Sequence, residues 1–238
     1  LGRHEYLQRL FMGDNSLKEV PLSLPISLIE LYLQLNQISE LKDGDFRGLV
    51  SLEQLFLFGN NISFISANAL GDLVNLKTLN LRTNQLTHLT IPIFVKLTKL
   101  SSLDLSENPL LTIGIDLFLG LERLQVLYLS YISEETIVAD ESFNPLINLE
   151  VLNLDELPVL CQNLLDSETM VSALKSMREI YLTSCNLTRV PGEVKRMLPH
   201  LQYYKIFNNR TDGHNMIHES NNDSTRNLPS PGIEKHNM

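Results

Sequence analysis

The chain has 238 residues, 43% of them hydrophobic and 20% charged, which is the composition of an ordinary folded globular protein. Its formal net charge of -9 disfavours nucleic acid and anionic membrane surfaces as partners, because both are bound through Lys and Arg side chains. No apolar run approaches the roughly 18 residues of a transmembrane helix, so direct membrane insertion of this segment is not expected.

Acidic residues are concentrated in the middle of the chain. Residues 101–170 contain thirteen Asp and Glu and one Arg, a net charge of -12, so the remaining residues sum to +3. A charge of one sign over one region attracts partners of the opposite sign. The middle of the chain therefore favours a partner with a basic surface.

A leucine-rich pattern, LxxLxLxxN, repeats along nearly the whole chain. Successive copies begin 21, 24, 24, 24, 24, 25, 28 and 24 residues apart. A recurring period of this length is the sequence signature of a solenoid of stacked units. The first positions of the nine copies are Leu7, Leu28, Leu52, Leu76, Leu100, Leu124, Leu149, Met177 and Leu201.

Each copy alternates in the manner of a short β-strand. The apolar residues at positions 1, 4, 6 and 11 are predicted to point inward, and the residues between them outward. Stacked copies are therefore expected to form a parallel β-sheet along one face of the solenoid.

Position 9 is asparagine in most copies. A buried amide there can hydrogen-bond to backbone groups of the turn after each strand, in its own repeat and in the adjoining one. Ile132 and Leu157 cannot do this, which predicts irregular backbone in their repeats, whereas Cys185 is a small buried substitute. The asparagines are Asn15, Asn36, Asn60, Asn84, Asn108 and Asn209.

The second half of each repeat has a pattern of its own. A large apolar residue recurs at one offset and is followed three residues later by leucine, which predicts an apolar spine under short helical or irregular segments. The spine residues are Phe46, Leu70, Phe94, Phe118 and Phe143, followed by Leu49, Leu73, Leu97, Leu121 and Leu146.

The 24-residue copies, such as LEQLFLFGNNI from Leu52, together with this spine resemble the typical leucine-rich repeats of animal extracellular proteins such as Toll-like receptors. The resemblance covers about Leu7 to Phe207. The opening stretch VPLSLPISLIELYL is also similar to small leucine-rich proteoglycans. The resemblance implies an α/β repeat solenoid, a leucine-rich-repeat horseshoe of about nine repeats. Its parallel β-sheet is expected on the concave side and irregular or short helical segments on the convex side.

Ectodomains of this kind usually carry cysteine-rich caps, and the Cys161 and Cys185 pair does not resemble one. Because no cap motif is present and the sequence begins with Leu, it is expected to be part of a longer protein. Two cysteines do not make a disulfide framework, so the redox compartment stays open at this point.

Two repeats are longer than the rest. The segment SEETIVADES from Ser133 is acidic and poor in core residues, which predicts a protruding loop. The segment DSETMVSALKSM predicts a convex helix capped by Asp166 or Ser167. Its apolar face would consist of Met170, Val171, Leu174 and Met177.

The repeat domain is predicted to span residues 1–207 and a disordered tail or linker residues 208–238, because the tail is rich in Asn, Ser, Pro and charge. His214 and His218 have a spacing that suits a metal only on a helix, and none is expected there.

The outward positions of the strands are the expected binding surface. Aromatic residues at the N-terminal end form a candidate patch of Phe11, Tyr32, Phe56 and Phe58 with Leu35. Such a patch indicates a partner hot spot, or contact with a cap or with a second copy of the chain.

A second candidate patch interleaves carboxylates with tyrosines, which suits a basic partner, although a solvated acidic surface is the alternative. Its residues are Asp104, Glu107, Tyr128, Tyr131, Asp155 and Glu156. An open, repeated strand surface lacks the enclosed pocket that catalysis needs. No catalytic triad, phosphate loop or Cys/His metal pattern is present, so we expect no enzyme activity, no cofactor and no metal site beyond a weak Ca²⁺ alternative.

Four glycosylation sequons begin at Asn61, Asn186, Asn209 and Asn222. Asn61 and Asn186 occupy position 10 of their repeats, where a glycan could point to solvent, and these two are the predicted acceptors.

The favoured function is an extracellular or cell-surface recognition module resembling an innate-immune or adhesion receptor ectodomain, with a protein or glycan ligand, a co-receptor or a second copy of the chain as partner. A secreted matrix protein is one alternative. An intracellular scaffold that docks signalling enzymes is another, and N-linked glycans would exclude it.

Overall fold

One strand from each repeat joins a long β-sheet. The computed structural model describes residues 6–187, 192–206 and 217–218. The first nine strands are parallel in chain order, and the last pairs antiparallel with its neighbour. They are β1 (Arg9–Phe11), β2 (Glu30–Tyr32), β4 (Gln54–Phe56), β6 (Thr78–Asn80), β8 (Ser102–Asp104), β10 (Val126–Tyr128), β12 (Val151–Asn153), β13 (Glu179–Tyr181), β14 (Tyr203–Ile206) and β15 (Ile217–His218).

The register keeps equivalent repeat positions opposite each other. Leu31 pairs with Leu55, Leu55 with Leu79 and Leu79 with Leu103, and all four side chains are buried. The residues on either side of each leucine are only half-buried. A one-residue slip would reverse this alternation, so the leucine pattern itself fixes the register. The predicted leucine-rich-repeat solenoid with a long parallel sheet is confirmed, and the nine parallel strands of this sheet come from the nine predicted repeats.

The asparagines of position 9 form a hydrogen-bonded ladder between repeats. Asn84 Nδ2 donates to the carbonyls of Leu57 in the preceding repeat (3.0 Å) and Leu81 in its own (2.9 Å). Its Oδ1 accepts from the backbone N–H of Ile62 (2.9 Å). Asn36, Asn60 and Asn108 bond in the same way, so the predicted role of this amide is confirmed for them.

The convex side carries short strands over the apolar spine. The spine phenylalanines are fully buried, and the rings of Phe118 and Phe143 stack at 5.8 Å. Two small sheets, β3 with β5 and β7 with β9 and β11, run alongside. Their strands are β3 (Glu40–Leu41), β5 (Phe64–Ile65), β7 (His88–Leu89), β9 (Thr112–Ile113) and β11 (Ile137–Val138).

The repeats at Ile132 and Leu157 are more regular than the sequence predicts. The residue before each, Tyr131 (φ 56°) and Glu156 (φ 65°), has the same left-handed backbone as Glu107 (φ 55°) in a regular repeat. The turn itself is therefore regular, and the irregularity predicted for these two repeats begins later in each of them. The chain departs from the repeat only after position 9.

The segment from Ser133 is not simply a protruding loop. Ile137 and Val138 join the convex-side sheet, and Thr136 and Ser142 are buried. Glu134 and Glu135 are exposed. The prediction is wrong because two hydroxyl side chains fill core positions by hydrogen-bonding to backbone carbonyls.

The long repeat contains two convex helices, not one. The first, α1 (Pro158–Asp166), begins at a proline and was not predicted, whereas α2 (Glu168–Ala173) is capped by Ser167, whose hydroxyl accepts from Met170 N–H (3.2 Å). The four predicted apolar residues of the second helix are buried as expected.

Cys161 of α1 and Cys185 of the next repeat form a buried disulfide with a Cα–Cα distance of 5.8 Å. The two cysteines thus join the inserted helix to position 9 of the adjoining repeat.

A short helix, α3 (Gly192–Met197), lies between the last two repeat strands. Within the predicted tail, Ile217 and His218 pair with Ile206 and Lys205. The rest of the tail, with His214, Asn209 and Asn222, lies outside the described residues.

Candidate functional site

The outward face of the long sheet, called here the concave face, is built from positions 3, 5 and 7 of the repeats. Because positions 4 and 6 are buried leucines, every neighbouring side chain projects from the opposite side of the sheet. Nine parallel strands in register therefore set out columns of side chains along the molecule.

Phe11, Tyr32 and Phe56 stand in one such column, called here the aromatic column. Their backbones are paired directly, Phe11 with Tyr32 and Tyr32 with Phe56. The ring centroids are 4.4 Å and 4.7 Å apart, and the rings are inclined by 16° and 11°. Phe11 is 67% exposed. The sequence prediction that these rings gather at the N-terminal end is confirmed by the geometry.

Phe58 and Leu35 flank the aromatic column. Leu35 is 52% exposed and lies over Gly59, where a Cβ atom would stand 2.6 Å from its Cδ2. Gly59 therefore makes room for the leucine side chain, and its φ of +67° is one that glycine adopts without strain. Phe58 is half-buried beside them. The result is a continuous apolar surface at this end of the concave face.

The predicted acidic patch is brought together, but its carboxylates have partners within the chain. Glu107 forms an ion pair with Arg82 and accepts from the Thr83 hydroxyl (2.6 Å). These two hydrogen bonds lower the pKa of Glu107. Asp104 accepts from the backbone N–H of Ser106 (3.0 Å), and burial raises its pKa.

The two other carboxylates of this patch accept hydrogen bonds from the next repeat. Asp155 accepts from the backbone N–H of Thr183 (2.7 Å), and Glu156 accepts from the Ser184 hydroxyl (2.8 Å). The patch is therefore less available to a basic partner than its formal charge indicates. Tyr131 lies in the turn that follows β10 and is 57% exposed.

Three residues that the sequence analysis did not select complete the C-terminal end of the face. The Tyr181 hydroxyl donates to Glu179 (3.0 Å), and its ring lies 5.6 Å from that of Tyr203. Burial, and then the charge of Glu179, raise the pKa of Tyr181. The sequence signal for this hydrogen-bonded pair is EIY at Glu179 to Tyr181, because ELY at Glu30 to Tyr32 forms the same pair, also at 3.0 Å.

Three basic side chains on or beside the face form ion pairs, Arg82 at position 7 and Lys77 and Arg178 at position 2. Lys77 binds Glu53 (2.8 Å) and Arg178 binds Glu150 (3.5 Å), in addition to the pair at Arg82. Among the described residues no group of three or more metal-ligating side chains occurs, and no helix of that part is long and apolar enough to cross a membrane.

The two predicted glycan acceptors are both exposed. Asn61 differs from its neighbour Asn60, which is 4% exposed and uses its amide in the ladder. Asn186 has a left-handed backbone (φ 56°), and the Thr188 of its sequon lies outside the described residues.

Comparisons with known proteins agree with this architecture. A family model described as "Leucine rich repeat" matches residues 26–86 and 74–131. The chain is similar to the solved structure described as "Crystal structure of TLR13-ssRNA13 complex", with a TM-score of 0.69 and 26% sequence identity. That alignment covers 86% of this chain and 30% of the other, so the chain spans less than a third of its length. No curated protein matches the chain.

Proposed function

The chain is a leucine-rich-repeat protein that resembles a Toll-like receptor ectodomain, and we propose that it is a recognition module that binds a protein ligand through its concave face. A preformed sheet presents a large rigid surface, so little conformational entropy is lost when a ligand binds. The mechanism is passive recognition without a chemical step, and no enzyme activity is expected.

The aromatic column carries this proposal. Three stacked rings with an exposed end and an adjoining leucine form an apolar surface that is unfavourable to leave in water. Aromatic side chains dominate the energetics of protein interfaces because they bury much area for few rotatable bonds. A protein ligand that covers this column is therefore the favoured occupant, and a second copy of the chain is the alternative.

An extracellular receptor is the favoured context. A buried disulfide persists in oxidising compartments and is rare in the cytosol. The exposed sequons at Asn61 and Asn186 point the same way. Both observations weigh against an intracellular scaffold, whereas a secreted matrix protein remains the alternative binding role.

The similar structure was solved with RNA, by its description, and that ligand belongs to that protein. RNA binding depends on Lys and Arg that neutralise phosphates. On this chain the net charge is -9, and Arg82 of the concave face is paired with a carboxylate. We therefore favour a protein ligand with a basic surface.

The test compares two phenylalanines of the aromatic column with one phenylalanine of the convex side. The protein is secreted from eukaryotic cells and applied to an array of extracellular protein domains, as wild type and as Phe11→Ser, Phe56→Ser and Phe64→Ser. Phe64 is 57% exposed but lies on a convex-side strand, which makes it the matched control. We expect at least tenfold weaker binding of the array partner for the first two variants and no change for the third.

Equal binding by all four proteins would contradict a site on the aromatic column. Sedimentation velocity of the same proteins tests the second-copy alternative. A dimer that Phe11→Ser converts to monomer would assign the column to self-association. Removal of N-linked glycans with a mass loss mapped to Asn61 supports the extracellular context, and failure of the chain to be glycosylated after secretion argues against the sequon prediction.

A further inference from the structure

One column of the concave face places a small side chain between two tyrosines, and the space above it is called here the slot. Tyr128 and Tyr181 each pair in register with Asn153, one on either side of it. Two strand spacings separate their backbones by about 9.6 Å. Asn153 is the smaller side chain between two large rings, and its Oδ1 accepts from the backbone N–H of Asp155 (2.8 Å). The amide therefore lies at the floor of the slot.

At the N-terminal end the equivalent tyrosine, Tyr32, has no open space beside its ring. There the Glu30 and Tyr32 pair has Phe11 and Phe56 on either side of the tyrosine ring, so both ring faces are covered. At the C-terminal end Tyr203 contacts Tyr181 from the β14 side. On the β12 side of Tyr181 stands Asn153 in place of a third ring.

Carboxylates surround the slot. Glu179 accepts from the Tyr181 hydroxyl, and its charge also raises the pKa values of Tyr128 and Tyr203. The charge of Asp155 likewise raises the pKa of Tyr203, and the charge of Asp104 raises the pKa of Tyr128. Burial is the first cause of each shift, so these phenols stay neutral and keep their rings available for stacking.

The neighbouring bases do not fill the slot from within. Arg178 is paired with Glu150. Lys205 pairs with Tyr181 on the side away from Asn153. The slot thus combines two aromatic walls, a polar floor and negative charge.

We propose that this slot receives one cationic side chain, an arginine by preference, of a protein ligand bound to the concave face. A cation midway between the walls would be about 4.8 Å from each ring, within the roughly 6 Å over which cation–π attraction acts. A planar guanidinium can stack on both rings and hydrogen-bond to the carboxylates, which an ammonium group does less well. The inference rests on the proposed function for its biological setting, but the slot is a separate site from the aromatic column.

The test uses acetyl-Arg-amide as the probe and acetyl-citrulline-amide as its neutral control of nearly equal shape. The protein is labelled with 3-fluorotyrosine at its seven tyrosines, and binding is followed by fluorine NMR. We expect saturable shifts of the Tyr128 and Tyr181 signals with arginine, no shift at Tyr32, and at least tenfold weaker binding of citrulline.

Variants distinguish the contribution of the two tyrosine rings to arginine binding from that of the carboxylates. Asn153→Phe fills the slot while keeping both tyrosines and every carboxylate, and it is expected to weaken arginine binding at least tenfold. Asn80→Phe adds a ring to the same column outside the slot and is expected to change nothing. Glu179→Gln keeps the shape and the acceptor for the Tyr181 hydroxyl, and a three- to tenfold loss is expected.

Equal binding of the two probes would overturn the inference, as would unchanged arginine binding by Asn153→Phe with a native melting temperature. The assay contains no protein ligand, so its failure leaves the proposed function intact. Conversely, loss of array binding by Phe56→Ser with normal arginine binding would separate the two sites.

Discussion

The repeats up to residue 123 and the repeats from residue 124 onward are joined to their neighbours in different ways. In the first region a buried asparagine serves the backbone of adjacent repeats, as Asn84 does between Leu57 and Leu81. In the second region position 9 holds Ile132, Leu157 and Cys185 in turn. The long sheet continues through both without a break in register.

The irregular repeats are joined by links other than the ladder. In regular repeats the backbone N–H at position 10 donates to a carbonyl of the preceding repeat, as from Asn61 to Ile38 (2.9 Å). In the irregular region the Thr136 hydroxyl lies 2.6 Å from the equivalent carbonyl of Leu110. Farther along, the disulfide links the inserted helix to the next repeat. The comparison teaches that repeats without the asparagine can still be joined by other polar or covalent links.

The largest effect is expected from Asn84→Leu, which puts the residue found at position 157 into the regular region. Removing the amide leaves the buried N–H of Ile62 without its acceptor, and the carbonyls of Leu57 and Leu81 keep only the amides of Asn60 and Asn108, so the free energy of unfolding should fall by about 4 kcal/mol. Asn61→Leu, at an exposed site, is the control with an expected change below about 0.5 kcal/mol. Urea unfolding followed by circular dichroism measures both. Similar losses of unfolding free energy in the two variants would contradict a stabilising role of the ladder.

Removing the disulfide is expected to act locally. Cys161→Ala combined with Cys185→Ala should lower stability by about 3 kcal/mol, because the unfolded chain loses a closed loop of 24-residue separation. Repeats contact only their neighbours, so hydrogen exchange should speed up in residues 149–187 while residues 28–123 keep their protection. Equal acceleration in both regions would show that the two behave as one cooperative unit.

Thr136→Val tests the hydroxyl that replaces a backbone donor. Its loss leaves the buried carbonyl of Leu110 without this donor, so a destabilisation of about 1.5 kcal/mol is expected. Thr112→Val on the neighbouring strand β9 is the matched substitution, with a half-buried side chain, and should cost less than about 0.5 kcal/mol. Thermal unfolding ranks the two, and the reverse order would contradict this account of Thr136.

The smallest effect concerns the surface pair of Arg82 and Glu107. Arg82→Gln removes the main cause of the lowered pKa of Glu107, so this pKa should rise toward its ordinary value. A lowered folded-state pKa stabilises the protein above the unfolded pKa, and this stabilisation is lost as the pH falls through the folded value. Because both side chains are about one-third or more exposed, the change in stability should stay below about 0.5 kcal/mol. Carbon NMR of the Glu107 carboxyl follows its titration, and an unmoved midpoint would contradict the pairing.

Much of the fold could be predicted from the sequence because it depends on period. The inward leucines, the ladder and the phenylalanine spine follow from position alone, and Tyr32 and Phe56 follow from it as neighbours on the sheet. The first convex helix could not be predicted, because Leu157 and Pro158 break the pattern that locates residues in the repeat. The disulfide depends on that helix and was equally hidden.

The candidate site was predicted less completely. Column positions indicate which side chains share a face, but not how far each reaches across to the next strand. The internal partners of Glu107 and Asp155 depend on that reach, and so does the slot over Asn153. Glu179 and Tyr203 stand at position 3, where the residue types vary from repeat to repeat and give no pattern that singles them out.

The most direct test of the central claim places one glycan on each side of the sheet. Arg82→Thr completes a sequon at Asn80 on the concave face, whereas Lys96→Asn places an acceptor before Leu97 and Thr98 on the convex side. Binding of both secreted proteins to the array partner of the wild type is compared, with Arg82→Gln as the control for the lost ion pair. Recognition through the concave face predicts at least tenfold weaker binding for Arg82→Thr alone. Unimpaired binding by a fully glycosylated Arg82→Thr protein would contradict it.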